Sequence, residues 1–264
     1  MNHIIMKFRK IIFIIIAIIL ASYGIVHLGY ILYNKYNVVT VTIPEGYTYE
    51  KIGQTLQKSG LVNDVDFTNQ VENWTDSNYW FLKGLPNDKH KLDGFLYPAT
   101  YTFRKDASSK TIINKMLKTF ETKIEPNKSY ITKNKLSIKN ITITASLIEK
   151  EAGTDVDRPK IASVIYNRLN KNMPLQIDAT IQYIIGFKVK LYNKDLAVKS
   201  PYNTYLNKGL PPSPICNPGT KSINAAIHPA ITDYLFYVLN SKTNVHVFSK
   251  TYAEHIKNVT LYIK

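Results

Sequence analysis

The chain has 264 residues and a formal net charge of +15, from 34 lysine and arginine residues against 19 acidic ones. The basic residues are spread along the chain without a dense block, so the charge argues against a nucleic-acid partner and is compatible with another anionic polymer. The single cysteine, Cys216, excludes an intramolecular disulfide, and no histidine and cysteine residues have the spacing of metal ligands. We therefore expect no metal, no other cofactor and an ordinary hydrophobic core.

An almost uninterrupted apolar stretch runs from Ile11 to Tyr33 after a short basic N-terminus, 1–10. A helix of about 20 apolar residues crosses a hydrocarbon core of roughly 30 Å. A cleaved signal peptide is the alternative, but its apolar region spans only about 7–15 residues. The stretch predicts a single transmembrane helix at 11–33, with 1–10 in the cytoplasm and the rest of the chain on the far side.

A small module is predicted at 38–90. Apolar and polar side chains alternate over 39–43, which is typical of a half-buried strand. A helical pattern follows and stops at Gly60, and a second one begins after Asn63 or Asp66. This order of one strand and two helices resembles a LysM-type sugar-binding module, and a structural stalk is the alternative.

A larger domain of helices with an antiparallel sheet is predicted at 91–264, which makes the fold class α+β. It opens on an aromatic-rich loop or short strand at 91–103, and a polar, lysine-rich separator follows at 119–139. Two helices are predicted next, one at 141–153 and one with Asp157 as its cap, and then a hairpin with strands at 234–239 and 246–248. A last helix is opened by a capping box of Thr251 and Glu254, with Tyr252, Ile256 and Val259 facing inward.

Two glutamates lie near the end of the helix at 141–153. Glu149 falls on or beside the apolar face of this helix, whereas Glu151 falls further round. Partial desolvation raises the pKa of a carboxyl group and lets it keep a proton near neutral pH, as a general acid must. The alternative is that both are solvated surface residues. Further on, Asp178 is either a helix cap or a second active-site carboxylate.

Two proline-containing loops at 200–205 and 209–215 follow. Rigid loops that carry tyrosine, asparagine and threonine can offer stacking surfaces and fixed hydrogen bonds to a carbohydrate. Structural turns explain the prolines equally well.

Taken in order, these motifs resemble the YceG-like family of membrane-anchored endolytic murein transglycosylases. The likeness covers nearly the whole chain, including the apolar N-terminal stretch and the LysM-like module. It rests on 145–153, Asn167-Arg168-Leu169, 175–180, 200–205, 209–214, Asn217-Pro218-Gly219 and 251–255.

The resemblance implies cleavage of the β-1,4 bond between N-acetylmuramic acid and N-acetylglucosamine in peptidoglycan strands, leaving a 1,6-anhydro end. The C6 hydroxyl of the substrate is then the nucleophile, so one carboxyl group can serve as acid and then as base. The family motif places that group at Glu149. The candidate sugar-binding residues are Gln176, Asp178, Tyr202, Asn203 and Thr204.

The resemblance also implies a bacterial inner membrane location, peptidoglycan synthases as candidate partners, and a role in limiting the length of nascent strands. The chain departs from the usual family pattern at Ala99, Ala179, Ser213 and Ile256, where aspartate, proline, glycine and asparagine are usual. Two other functions compete with this one. The first is a non-catalytic anchored scaffold that binds peptidoglycan. The second is a pyridoxal-phosphate lyase that uses Lys150, for which the chain has no phosphate-binding glycine loop.

Overall fold

A computed structural model describes residues 14–29 and 37–262. Residues 14–29 are helical, and their large apolar side chains are exposed. The ends of the predicted membrane span, 11–13 and 30–33, lie outside the described residues, as does 1–10. Within the described ranges, no helix is both long and apolar enough to cross a membrane. The transmembrane helix therefore stays a prediction.

The chain from residue 38 onward has an α+β fold. Its described strands form two antiparallel pairs, β1 with β2 and β3 with β4. The elements are β1 (Val38–Thr42), α1 (Tyr49–Lys58), α2 (Asp64–Glu72), a 3-10 turn (Trp80–Leu82), β2 (Thr100–Arg104), α3 (Ser109–Lys133), α4 (Ile138–Glu151), α5 (Arg158–Asn170), α6 (Asp178–Ile185), α7 (Asn193–Leu196), α8 (Thr220–Ile227), β3 (Phe236–Asn240), β4 (Val245–Ser249) and α9 (Tyr252–Tyr262).

The predicted order of one strand and two helices in the small module is confirmed. The side chains of Thr48 and Asn63 accept hydrogen bonds from the first turns of α1 and α2, which fixes where each helix begins. Strand β1 pairs with β2, in a register that joins Val38 to Arg104. The predicted domain boundary between residues 90 and 91 therefore falls between two paired strands.

Most of the lysine-rich separator, 119–133, lies within a helix that the sequence interpretation had not assigned. Helix α3 includes Pro126 and buries an apolar stripe that contains Ile112, Met116 and Phe120. The lysines occupy the opposite, solvated face, so the region is an amphipathic helix.

Helix α4 lies at the centre of the larger domain. Eight consecutive residues from Ile141 to Ile148 are buried, so this part of the helix is buried on every side. Helix α5 follows it, but the carboxylate of Asp157 does not cap α5 as predicted. Instead, Asp157 accepts hydrogen bonds from the backbone N–H of His246 at 2.9 Å and from its ring Nδ1 at 3.0 Å. A long-range partner has replaced the local one.

The C-terminal hairpin and last helix are close to the prediction in position. The predicted capping box is confirmed, because Glu254 accepts from the backbone of Thr251 and donates its own N–H to the Thr251 hydroxyl. The inward face is wrong, because Tyr252 is 65% exposed and Ile256 is 44% exposed. Helix α9 packs against β3 and β4 without burying any residue completely.

Candidate active site

The side chain of Glu149 turns from α4 toward the start of α8. Its Oε2 atom accepts from the backbone N–H of Gly219 at 3.0 Å and from the Ser222 hydroxyl at 2.7 Å. The guanidinium of Arg158 lies 3.5 Å from the same atom, and the Glu149 side chain is only 7% exposed. The Glu149 side chain therefore joins three helices, α4, α5 and α8.

The small module reaches this point through the turn after β1. Gly46 donates its backbone N–H to the Asn217 carbonyl at 2.9 Å, and Asn217 donates its own N–H to the Tyr47 carbonyl at 2.8 Å. A Cβ atom on Gly219 would meet Oε1 of Glu45 at 1.8 Å, so the Glu45 carboxylate sits against that glycine. Because Glu149 binds the N–H of the same glycine, the two carboxylates lie within about 7 Å of each other.

Partial desolvation, followed by the nearby charge of Glu149, raises the pKa of Glu45. Glu45 is nevertheless an exposed residue. The pair is therefore an interaction between the small module and the larger domain at the edge of solvent.

Glu151, two residues after Glu149, points to the other side of α4. Its Oε2 atom accepts from the hydroxyl of Tyr237 at 2.9 Å. Burial, and to a smaller extent the charge of Asp178, raises the pKa of Glu151 to about 7. The hydrogen bonds from Tyr237 and from the backbone of Ala179 lower the pKa but do not cancel this effect. A carboxyl group with this pKa holds its proton in much of the neutral range, as a general acid requires.

Gln176 and Asp178 lie on the same side as Glu151. Both residues are exposed, and Gln176 has a left-handed backbone with φ of 53°. This conformation is uncommon for a residue other than glycine and often occurs at functional sites. Asp178 does not cap α6, which begins at it without a side-chain cap. Its carboxylate accepts from the Tyr205 hydroxyl instead. The cap interpretation is therefore wrong, and the second interpretation of Asp178, an active-site carboxylate, stays a prediction.

The buried side chain of Arg168 holds the segment 174–176, which contains the left-handed residue Gln176. Arg168 is 8% exposed, and it donates to the Leu235 carbonyl at 2.6 Å and the Leu175 carbonyl at 2.8 Å. A longer bond of 3.3 Å reaches Oε1 of Gln176. Arg168 thus joins the segment before β3 to the segment before α6. It thereby fixes the position of β3, which carries Tyr237, relative to Gln176.

Two of the predicted sugar-binding residues are buried. Asn203 is 0% exposed and donates to the carbonyls of Leu196 and Val198 at 2.9 and 2.7 Å. Thr204 is 2% exposed, and its hydroxyl accepts from the N–H of Ile177 at 3.0 Å. Their side chains hold the loop and the α6 start in place. Direct sugar contact by either one stays a prediction.

Tyr202 lies beside a second cluster of polar residues, Ser213, Asp93 and His90, which is further from Glu151 along α6. Its ring packs against Tyr183 at a centroid distance of 4.9 Å, and its hydroxyl is 2.6 Å from Ser213 Oγ. Ser213 donates to Asp93 at 2.8 Å, and Asp93 is 2.8 Å from His90 Nδ1. The hydrogen bond that His90 donates to Asp93 raises the pKa of His90, whereas burial raises the pKa of Asp93. The structure therefore brings Gln176 and Asp178 together with Glu151 and places Tyr202 to one side.

The sequence interpretation missed Tyr237, Tyr205 and the burial of Arg168. Tyr237 and Tyr205 lie far from α4 in sequence, so no local period connects them with Glu151. One signal was available, because Arg168 follows the buried stripe of α5 and stands inside the motif shared with the family.

A carboxyl group with a pKa near 7, a second carboxylate beside it and tyrosines around both define a candidate site for general acid chemistry. The chain belongs to the YceG-like family, whose model matches residues 25–261. It is 43% identical over 237 residues to a Bacillus subtilis protein named endolytic murein transglycosylase, an alignment that covers 84% of this chain and 65% of that protein.

A Streptococcus pneumoniae protein of the same name is 32% identical over 251 residues, which cover 86% of this chain and 45% of that protein. The chain thus spans less than two thirds of the length of these relatives. The crystal structure of a yceG-like protein from Listeria monocytogenes is 40% identical, with a TM-score of 0.73, over 83% of this chain and 75% of that one.

Proposed function

We propose that the protein is an endolytic peptidoglycan lytic transglycosylase and that Glu151 is its general acid. The family and the names of the relatives support the reaction class. The observation that carries the choice of Glu151 is its pKa of about 7 beside Asp178 and Tyr237. The bond cleaved is the β-1,4 bond between N-acetylmuramic acid and N-acetylglucosamine, and the product carries a 1,6-anhydro end.

In the proposed reaction, protonated Glu151 donates its proton to the leaving glycosidic oxygen. The Tyr237 hydroxyl donates to Oε2 and holds the carboxyl group that carries the transferable proton. The C6 hydroxyl of the muramyl residue then attacks the anomeric carbon, and the Glu151 carboxylate takes the hydroxyl proton. The exposed carboxylate of Asp178 stabilises positive charge that develops on the sugar ring. Gln176 and Tyr202 are proposed sugar contacts.

We also propose that the protein acts at the bacterial inner membrane. The apolar N-terminal stretch serves as a single-pass anchor, and the 38–90 module serves as a LysM-like sugar-binding unit. An enzyme held there reaches strands close to the membrane, where they are made, so the proposed role is to limit nascent strand length beside peptidoglycan synthases.

A matched pair of variants tests the assignment on the full chain with purified glycan strands. Glu151→Gln keeps the shape of the side chain but removes the exchangeable proton, so release of anhydro-ended fragments, measured by mass spectrometry, should stop. Glu149→Gln still presents an oxygen to Gly219 and Ser222, so the fragments should continue to appear.

The reverse result would return the catalytic role to Glu149, the residue that the sequence motif indicated. If the parent protein releases no fragments but binds the strands, the non-catalytic scaffold is the correct function instead.

A further inference from the structure

The segment 186–199 between α6 and the Tyr202 loop presents apolar side chains to solvent. Phe187 is 80% exposed, Val189 is 96% exposed and Tyr192 is 56% exposed. Three large apolar side chains so close in sequence and so open to water are unusual on a soluble surface, and such groups commonly mark an interaction site.

The same segment is strongly basic. It contains four lysines, and its one carboxylate, that of Asp195, is buried and bonded to Lys188 Nζ at 2.6 Å. Among the described residues, Lys190, Lys194 and Lys199 form no ion pair. The exposed apolar groups are thus interleaved with uncompensated positive charge, the pattern of segments that bind an anionic lipid surface.

The base of the segment is firmly held, although its tip is open. Asp195 accepts from the backbone N–H of Tyr192 at 3.0 Å, and Asn203 holds the carbonyls of Leu196 and Val198. Gln182 donates to the Lys188 carbonyl at 3.3 Å. The tip is therefore presented in a fixed direction from the end of α6.

We propose that the 186–199 segment is a membrane-contacting loop in which Phe187 and Val189 enter the headgroup region of an anionic bilayer. Lys190, Lys194 and Lys199 then contact lipid phosphates. The inference rests on the proposed membrane anchor, because tethering raises the effective concentration of the loop at the bilayer and lets a weak contact persist.

The test uses the full chain in vesicles. Cys216 is buried, and burial raises the pKa of its thiol, so it is protected from labelling. Phe187→Cys and Val189→Cys are each labelled with an environment-sensitive fluorophore. Ile231→Cys, at a residue that is fully exposed in the parent, is the matched control. The vesicles are phosphatidylcholine, with or without phosphatidylglycerol.

The label at 187 and 189 should shift its emission to the blue and be quenched by spin-labelled lipid, more strongly with phosphatidylglycerol, whereas the label at 231 should not. A protein that floats with the vesicles while these labels stay in water overturns the loop proposal alone. A protein that does not float with vesicles at all overturns the anchor on which it rests.

Two other binding partners of the 186–199 segment would also overturn the proposal. Emission that changes only when glycan strands are added would make the loop a substrate contact. Emission that depends on the ratio of protein to lipid would make it a contact between copies of the chain. As a second measurement, Phe187→Ser with Val189→Ser should leave cutting of soluble strands unchanged and abolish the lipid-dependent response at a label on residue 190.

Discussion

The carboxylate of Glu45 occupies the space that a side chain on Gly219 would need. An added Cβ atom would lie 1.8 Å from Oε1 of Glu45 and 2.1 Å from its Cδ atom. Because Gly219 also begins α8 and binds Glu149, this contact connects the small module directly with the end of α4.

Gly219→Ala is therefore expected to displace Glu45. The displaced carboxylate is the flexible end of an exposed side chain, so the cost in unfolding free energy should be modest, about 1 kcal/mol. The cost should disappear when Glu45→Ala is added, since nothing is left to displace. Urea unfolding of both single variants and the double variant gives the coupling energy. Equal losses in the single Gly219 variant and the double variant would show that the two residues do not compete for space.

Enzyme activity should fall as the pH rises through the pKa of Glu151. Its pKa of about 7 is set by burial, and a general acid must be protonated to act. Above that pH, the rate should decline about tenfold per pH unit. A pH profile of fragment release measures it, and a rate that is flat from neutral to mildly alkaline pH would exclude Glu151 as the acid.

Tyr237→Phe should move that decline to higher pH. The hydroxyl of Tyr237 donates to the Glu151 carboxylate and lowers its pKa, so its removal should raise the pKa further. The expected displacement is about 0.5–1 pH unit. Tyr205→Phe, which removes a hydroxyl bonded to Asp178 and not to Glu151, is the control. A decline that moves to lower pH in Tyr237→Phe would contradict the assigned direction of the bond.

Glu151→Gln should make the protein more stable above neutral pH. The folded pKa of about 7 lies above the ordinary value of 4.5, so the folded protein loses stability as the pH rises from about 4.5 to about 7. The variant cannot ionise and avoids this loss, which should amount to about 1–3 kcal/mol. Unfolding at pH 5 and pH 8 provides the comparison. A gain that is no larger at pH 8 than at pH 5 would be inconsistent with the raised pKa.

Arg168→Ala should destabilise the protein by about 3 kcal/mol or more, because several backbone carbonyls lose a buried donor at once. Arg168→Lys keeps the charge but cannot reach all of these acceptors in a plane, so it should recover only part of the loss. Thermal unfolding ranks the three proteins. A lysine variant as stable as the parent would mean that charge alone matters at this position.

Local patterns predicted most of the elements, because their signals lie within a few residues. The strand at 39–43, the α2 cap at Asn63 and the box of Thr251 with Glu254 all depend on neighbours in sequence. The inward face of α9 was wrong because that helix lies on the surface of a hairpin. Its contact with the hairpin could not be read from its own period.

The candidate site was harder to predict, and the reason lies in α4. A face argument separates Glu149 from Glu151 only if one side of the helix is solvated, and eight consecutive residues of α4 are buried. The pKa of each glutamate depends on the residues that its side chain contacts. Those partners, Ser222 and Tyr237, come from segments more than 70 residues further on. The motif indicates this part of α4, and tertiary contacts distinguish its two carboxylates.

The pairing of β1 with β2 has a consequence for how the chain is made. Thr42 meets Thr100 across roughly 60 intervening residues, so β1 leaves the ribosome long before its partner strand exists. The turn after β1 must also wait for Asn217 and Gly219. Until then β1 is an unpaired edge, and a strand that is synthesised early is among the last to be completed. A gene cut between residues 90 and 91 would leave each fragment with one strand of that sheet.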